Sequence, residues 1–332
     1  MKTLLRLVGG LVLVALVLGI AGYLWVSNAA AQAFDRTVDT HEIDFPIPFP
    51  DPMPTPGTQG AGGGAVVATL AAAEAPEEAV DPMAAAIARG EHLVRARYGC
   101  ADCHGEDFSG GVMMDAMPVA RAFGPNLTTG EGGPTRDFTP ADWDRAVRHG
   151  VGSDGRPLIM PSQDFLRMSD QELADIVAYI RSFPPVDNEV EPVTLGPIGK
   201  LLIARGQMRL SADYVEHDGE HPAYPPEAAP TAEFGAHLAG ACVGCHKEDF
   251  TGGDIGGDPS WAPAANLTGA GRIPDWSLAE FTRVMREGVR PDGTELLEPM
   301  TFVVPLAGRM SDVEIEALYR YFQSLPARET GA

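Results

Sequence analysis

An all-α fold built in two copies is what the 332-residue sequence predicts. Three observations carry it. The pentapeptide Cys100-Ala101-Asp102-Cys103-His104 returns as Cys242-Val243-Gly244-Cys245-His246, which uses all four cysteines of the chain. The residues after it return as well: Gly105-Glu106-Asp107-Phe108-Ser109-Gly110-Gly111 is echoed 142 positions later by Lys247-Glu248-Asp249-Phe250-Thr251-Gly252-Gly253. Behind each copy, apolar residues recur at helical spacing after recognisable helix starts.

In the first copy, Asp81-Pro82 reads as an N-cap and first helical residue, and Met83, Ile87, Gly90 and Val94 share one helix face. A loop holds Gly124-Pro125-Asn126-Leu127-Thr128. Thr139 caps a helix that has Pro140 at its first position and Gly150 at its end. A second loop runs from Asp154 to Pro161. The last helix opens on the capping box Ser169-Asp170-Gln171-Glu172, buries Leu173, Ile176, Val177 and Ile180, and stops at Pro184-Pro185. In the second copy Gly235 and Leu238 open the domain, and Asn266-Leu267-Thr268, Asp292-Gly293 and Met300 echo Asn126-Leu127-Thr128, Asp154-Gly155 and Met160. Its closing helix starts at Ser311-Asp312-Val313-Glu314 and buries Ile315, Leu318, Tyr319 and Phe322. The economical division is an amino-terminal segment (1–31), a tether (32–81), a helical domain (82–186), a connector (187–228) and its repeat (229–328).

The pentapeptide carries the chemistry. Two thiols three apart lie on one flank of a short helix, with an imidazole one residue further on. That spacing lets both sulfurs form thioethers to the two vinyl groups of a haem while the histidine ligates the iron; it is the signature of c-type haem attachment. The rival is one zinc site made jointly by the four cysteines. Two copies, each with a matching methionine downstream, favour two covalently attached haems.

The amino terminus sets the compartment. Lys2 and Arg6 precede an uncharged stretch from Leu7 to Val26, long enough to span a bilayer, with Tyr23 and Trp25 where an interfacial belt would fall. The competing reading is a signal peptide cleaved near Ala29-Ala30-Ala31; the apolar run exceeds the usual h-region of about 7–15 residues, which favours a retained anchor. Either way the remainder is delivered across the membrane. Prolines at every second position from Pro46 to Pro56 predict an extended rod of about 30 Å, followed by a flexible piece around Gly57–Gly64. With 24 Lys+Arg against 46 Asp+Glu, the net charge of −22 excludes a nucleic-acid binder. One basic, apolar island, Gly196–Leu210, reads as a helix packed between the domains or as a lipid contact.

Taken together, these motifs resemble the class I cytochrome c family. They are similar in particular to the tandem two-haem, membrane-anchored cytochromes of bacteria and to single domains of the multihaem cytochrome subunits that serve membrane-bound dehydrogenases. The resemblance implies first and last helices crossing near Gly90 or Gly235. It also implies a haem-contacting loop at Gly124-Pro125-Asn126-Leu127, whose proline carbonyl accepts a hydrogen bond from His104. Asn126 and Asn266 count with these cofactor-binding loops. The second copy has Ala265 where the first has Pro125.

The iron ligands are expected to be His104 with Met160 and His246 with Met300, each methionine lying 56 or 54 residues past its histidine. Met168 and Met310, just before helix caps, are assigned to the core. His149 has Glu287 at the corresponding position and is no shared ligand; His92 and His237 are placed on solvated flanks. The expected function is an electron carrier at the periplasmic face of the bacterial inner membrane, single-pass, between a dehydrogenase or quinol-oxidising complex and a terminal acceptor such as a basic cytochrome or an oxidase. A haem enzyme such as a dihaem peroxidase is the alternative. Thiosulfate-oxidising relatives with cysteine ligation would need a fifth cysteine, which the chain lacks.

Overall fold

The computed structural model describes residues 2–41, 43–50, 81–255 and 260–331. The chain begins with α1 (Lys2–Asp35), whose segment Arg6–Asp35 is long and apolar enough to cross a membrane. Leu7, Leu11, Leu18 and Leu24 stand exposed around it. Only towards its end, at Val26 and Ala30, does the helix become buried.

From Thr37 the chain does not swing free. Ile43, Phe45, Ile47 and Phe49 pack against the first core, with Phe45 only 3% exposed, and the Val38 N–H donates to the Gly155 carbonyl at 2.9 Å. The tether expected from residue 32 is, as far as Phe49, a packed strap. Its physical origin is the alternation of apolar residues with prolines: in an extended chain a period of two puts one row on one side. The later prolines, Pro52–Pro56, and the Gly57–Gly64 stretch lie outside the described residues.

The first half follows. α2 (Pro82–His92) starts on Asp81, whose carboxylate accepts the Met83 N–H at 3.1 Å. A π turn, Leu93–Tyr98, leads through Gly99 at φ +61° into α3 (Cys100–His104). β1 (Gly111–Ala116) and β2 (Ala120–Gly124) form an antiparallel hairpin. α4 (Pro140–Val147) has the capping box Thr139–Asp142, and α5 (Asp170–Arg181) the box Ser169–Glu172. α2 crosses α5 at Gly90, where a Cβ would lie 2.0 Å from the Asp175 carbonyl oxygen, so only glycine admits the approach. Leu93, Val94, Phe108, Trp143, Leu173 and Val177 fill the core between them.

The connector supplies β3 (Thr194–Leu195), giving a three-stranded sheet in the order β1-β2-β3. A strictly all-α expectation is corrected at this point. Residues 120–124 alternate between buried and half-buried, a strand's period, and pair locally across the Met117-Pro118 turn. α6 (Pro197–Ala204) then packs on α1, not between the two halves. Lys200 Nζ donates to Tyr23 Oη at 3.3 Å, and Gly199 lies against the Val119 carbonyl.

The second half contains α7 (Ala232–Leu238), a 3₁₀ turn over Ala239–Cys242, α8 (Val243–His246), α9 (Leu278–Glu287), α10 (Val304–Ala307) and α11 (Asp312–Ser324). α7 crosses α11 at Gly235, where a Cβ would again sit 2.0 Å from a carbonyl oxygen, that of Ala317. Phe234, Leu238, Phe250, Phe281, Ile315, Leu318 and Phe322 make the second core.

The halves meet through the two capping glutamates. Glu172 Oε2 closes its own box by accepting from Ser169 N–H and Oγ, while its carboxylate accepts from His237 Nε2 of the other half at 2.9 Å. Glu314 does the same with Ser311 and with His92, again at 2.9 Å. Arg97 bridges both, 2.9 Å from Glu172 and 2.5 Å from Glu314. The solvated flanks expected for His92 and His237 are therefore an interface, and His237 is only 7% exposed. Spacing correctly turned these rings away from their own cores, but it could not say what faces that flank.

Burial alone would raise the Glu314 carboxyl. The His92 hydrogen bond, the Arg97 charge and the Ser311 N–H outweigh it and hold the group from 4.5 down to about 2. A carboxylate held down in this way stabilises the fold fully above the unfolded value of 4.5, and that contribution is lost as pH falls through about 2. Its size at neutral pH is on the order of 3 kcal/mol. Glu314→Gln is expected to lower neutral-pH stability by about this much, with the deficit relative to the native chain vanishing as acid is added. Chemical unfolding measured from pH 7 to 2 tests it; parallel stability curves for the two proteins would sink the idea.

Candidate haem-attachment sites

Each pentapeptide is a single helical turn fixed at both ends. α3 is entered from left-handed Gly99 and left through Gly105 at φ +82°; α8 is left through Lys247 at φ +66°. The histidines are then oriented by backbone. His104 Nδ1 donates to the Pro125 carbonyl at 2.9 Å, and His246 Nδ1 donates to the Ala265 carbonyl at 2.8 Å. With Nδ1 so occupied, Nε2 of each ring carries the free lone pair, which is what a proximal iron ligand requires. The alanine at 265 costs nothing here because the acceptor is main chain. The loop reaches α3 closely: a Cβ on Gly124 would fall 2.1 Å from the Cys103 carbonyl oxygen.

Asn126 and Asn266, expected among the cofactor-binding residues, hold these loops. Asn126 is fully buried; its Nδ2 donates to Val186 O at 2.7 Å and its Oδ1 accepts from Thr128 N–H and Oγ1. Asn266 Nδ2 donates to Arg328 O at 2.8 Å, and Oδ1 accepts from Thr268 in the same way. Each asparagine thus ties its loop to the chain that leaves the last helix, fixing the carbonyl one residue before it.

Met300 lines, with Cys242, Cys245 and His246, a largely apolar cavity of about 1200 Å³. That exceeds the usual small-molecule pocket of about 300–1,000 Å³ and suits a macrocycle, with two thiols, an imidazole and a thioether in its lining. Met160 is half-buried and packs against the first core, as Tyr98, Cys100 and Ala101 do. Met168 and Met310 are buried in the two cores, as expected. Burial pushes the Cys100 and Cys242 thiols up to about 12 and raises Cys103 and Cys245 as well. It pushes His104 and His246 down, the carbonyl bonds opposing only in part. No disulfide forms, and the two cysteine pairs lie in different halves. Among the described residues the four sulfurs are not gathered as metal ligands, so the joint zinc site finds no support.

Two contributors escaped the sequence. Asp164, just after the Met160 loop, lines the cavity of the other half and accepts the Gly244 N–H at 2.7 Å. Burial pushes its carboxyl up to about 7. Conversely, Leu306, just after the Met300 loop, packs on Gly99, where a Cβ would meet its Cδ1 at 2.9 Å. Each attachment turn is therefore backed by the segment following the methionine of the other half. No periodicity or motif signals a contact between two loops so far apart in sequence.

The sequence profile of the cytochrome c family matches residues 87–184. The gluconate 2-dehydrogenase cytochrome c subunit of Pantoea cypripedii is 31% identical over 301 residues, 80% of this chain and 64% of that one. A protein named diheme cytochrome c-type from Cereibacter sphaeroides is 27% identical over 73% of this chain and 86% of its own length. The fructose dehydrogenase cytochrome subunit of Gluconobacter japonicus is 24% identical, with 53% of its length covered. The chain thus spans less than two thirds of the gluconate dehydrogenase subunit. It contains a cytochrome c domain and is homologous to cytochrome c subunits of bacterial dehydrogenases, which carry electrons and are not themselves the catalytic subunits. Replacing Cys242 and Cys245 together by Ala is expected to lower the intact mass by one covalently bound haem, leaving one that survives acid–organic extraction. A native chain carrying a single haem would contradict the second site.

Proposed function

We propose that the chain is a dihaem electron carrier, held at the periplasmic face of a bacterial inner membrane by α1, that accepts single electrons from a dehydrogenase and passes them to a terminal acceptor. The observation that carries this reading is the second half's own site: His246, Cys242, Cys245 and Met300 around one cavity, with His246 oriented as His104 is. Haem attached at each turn would supply a one-electron iron couple.

The chain's residues do the rest. Cys100, Cys103, Cys242 and Cys245 would hold the two groups covalently. His104 and His246 present Nε2, their basicity raised by the carbonyls of Pro125 and Ala265. Met160 and Met300 would each offer the bound group a neutral, soft sulfur, which would favour the reduced state. Asp164 and Leu306, each placed between one methionine segment and the other half's attachment turn, hold the two sites side by side. α1 retains the assembly at the bilayer, with Lys200 of α6 docked on it.

Met160→Ala and Met300→Ala are each expected to open one site to carbon monoxide and to lower its reduction potential, read by difference spectra and redox titration. A native protein that binds carbon monoxide rapidly and turns over peroxide would replace the carrier by a peroxidase. The net charge of −22 makes a second expectation: electron exchange with a basic soluble cytochrome should slow steeply as ionic strength rises. A rate indifferent to salt would mean that the acidic excess plays no part in docking.

A further inference from the structure

Away from both attachment turns, four side chains from three separate segments converge: His41 from the strap, Asp144 and His149 from α4 and the residues just after it, and His221 from the connector. Asp144 and His149 are fully buried, His221 is 4% exposed and His41 21% exposed. His41 Nε2 and His149 Nε2 each lie 3.6 Å from Asp144 Oδ2, His149 Nε2 lies 3.4 Å from His221 Nε2, and all four ligand atoms are within 4.8 Å of one another. A tetrahedral ion with bonds of about 2.0–2.1 Å separates its ligand atoms by about 3.3 Å, so the three edges at 3.4, 3.6 and 3.6 Å are already near that length.

Hydrogen bonding decides where the lone pairs point. His221 Nδ1 donates to the Leu166 carbonyl at 3.1 Å, which leaves Nε2 bare. His217 Nε2 donates to the Ala212 carbonyl at 3.0 Å, so its Nδ1 is an acceptor, and His149 Nδ1 donates to it at 3.2 Å. His149 Nε2 is therefore bare as well. Asp144 Oδ1 is taken by Arg148 Nε at 2.6 Å, while Oδ2 is buried with no hydrogen-bond partner, and neither has His41 Nε2 one. The Arg148 charge is balanced by Asp144 and by Asp170 at 2.8 Å. The bare Nε2 atoms of His149 and His221 and the unpartnered Asp144 Oδ2 thus turn lone pairs on one buried point, where they repel one another; a cation there reverses the sign. The outer partners match those of metal-bound imidazoles, which pass their other N–H to a carbonyl or similar acceptor.

We propose that His41, Asp144, His149 and His221 form a binding site for one divalent transition-metal ion of the zinc class, distinct from both haem irons. Imidazole nitrogen and carboxylate oxygen in a four-fold arrangement suit Zn²⁺. The ion pins the strap and the connector to the end of α4. The connector reaches the Met160 loop from there, since Ser211 Oγ donates to the Met160 carbonyl. The site is thus a structural clamp behind the first haem's distal loop.

The test uses the haem-loaded full chain, stripped with a chelator and then given one equivalent of Zn²⁺. Elemental analysis should find one zinc for every two irons after desalting, and zinc-edge absorption should show a nitrogen/oxygen shell with imidazole scattering. His41→Ala, on the outermost ligand, and Asp144→Asn should each weaken zinc binding at least tenfold. His217→Phe, which removes the acceptor for His149 Nδ1 and the bond to the Ala212 carbonyl but no ligand atom, should weaken it about 10–100-fold. His92→Ala should leave it unchanged, and the haem spectrum checks that each variant is folded. Failure of the native chain to retain zinc, or retention undiminished in folded His41→Ala, overturns the proposal. A site that binds zinc in a chain with only one haem would leave the clamp standing and count against the dihaem reading alone.

Discussion

The arrangement of the two halves depends on one buried set of charges: Glu172, Glu314 and the Arg97 guanidinium between them. Each glutamate was already required locally, as the third residue of the box that caps α5 or α11. Its second oxygen is free to accept from outside the helix, and the other half's histidine takes it. A carboxylate buried to 2–3% exposure would be costly alone. Here the serine, the histidine and the arginine leave neither oxygen unpaired, so the charges fix a unique docking. The symmetry is broken by Arg97: the stretch between His237 and Cys242 is shorter than that between His92 and Cys100 and holds no arginine. One cation serving two anions also seats its guanidinium over the Phe234 ring, 5.4 Å from the centroid.

From this docking the neighbourhood of the two sites follows. With the starts of α5 and α11 apposed, the residues just before them are carried across to the opposite half. Arg167 donates to the Ala236 carbonyl and Arg309 to the Arg95 carbonyl, each reaching into the other half. The methionine segments end here, so Asp164 meets Gly244 and Leu306 meets Gly99. A set of helix caps thus determines which loop lies behind which attachment turn.

How much of this could be read in advance divides along local against non-local lines. The capping boxes at Ser169 and Ser311 are decided within a turn of helix, Met168 and Met310 stand directly before them, and the sequence shows them. The crossings at Gly90 and Gly235 and the histidine-to-carbonyl bond are longer-range contacts that only the family resemblance implied, and the bond survives the change from Pro125 to Ala265. The interface roles of His92 and His237 depend on a partner more than sixty residues away in sequence, and nothing in their own surroundings marks it. The strap offers a different lesson. Ile43, Phe45, Ile47 and Phe49 formed a period-two apolar row, but alternation with proline read as stiffness instead of burial.

The strap also explains why the four imidazoles around His149 could not be assembled from sequence. His41, His149, His217 and His221 fall in a segment expected to be free, at a helix end, and in a connector whose only expected element was the island Gly196–Leu210. Comparing the repeats argued against His149, because Glu287 stands at its counterpart. That comparison finds what the two halves share. It is blind to whatever one half alone acquires from segments outside the repeat. The strap and the connector are such segments, and both are laid against the first half: the first by its apolar row, the second by β3 and by the Ser211 bond to the Met160 loop. The same two additions that break the repeat therefore bring the histidines together, and they do so beside only one of the two methionine loops.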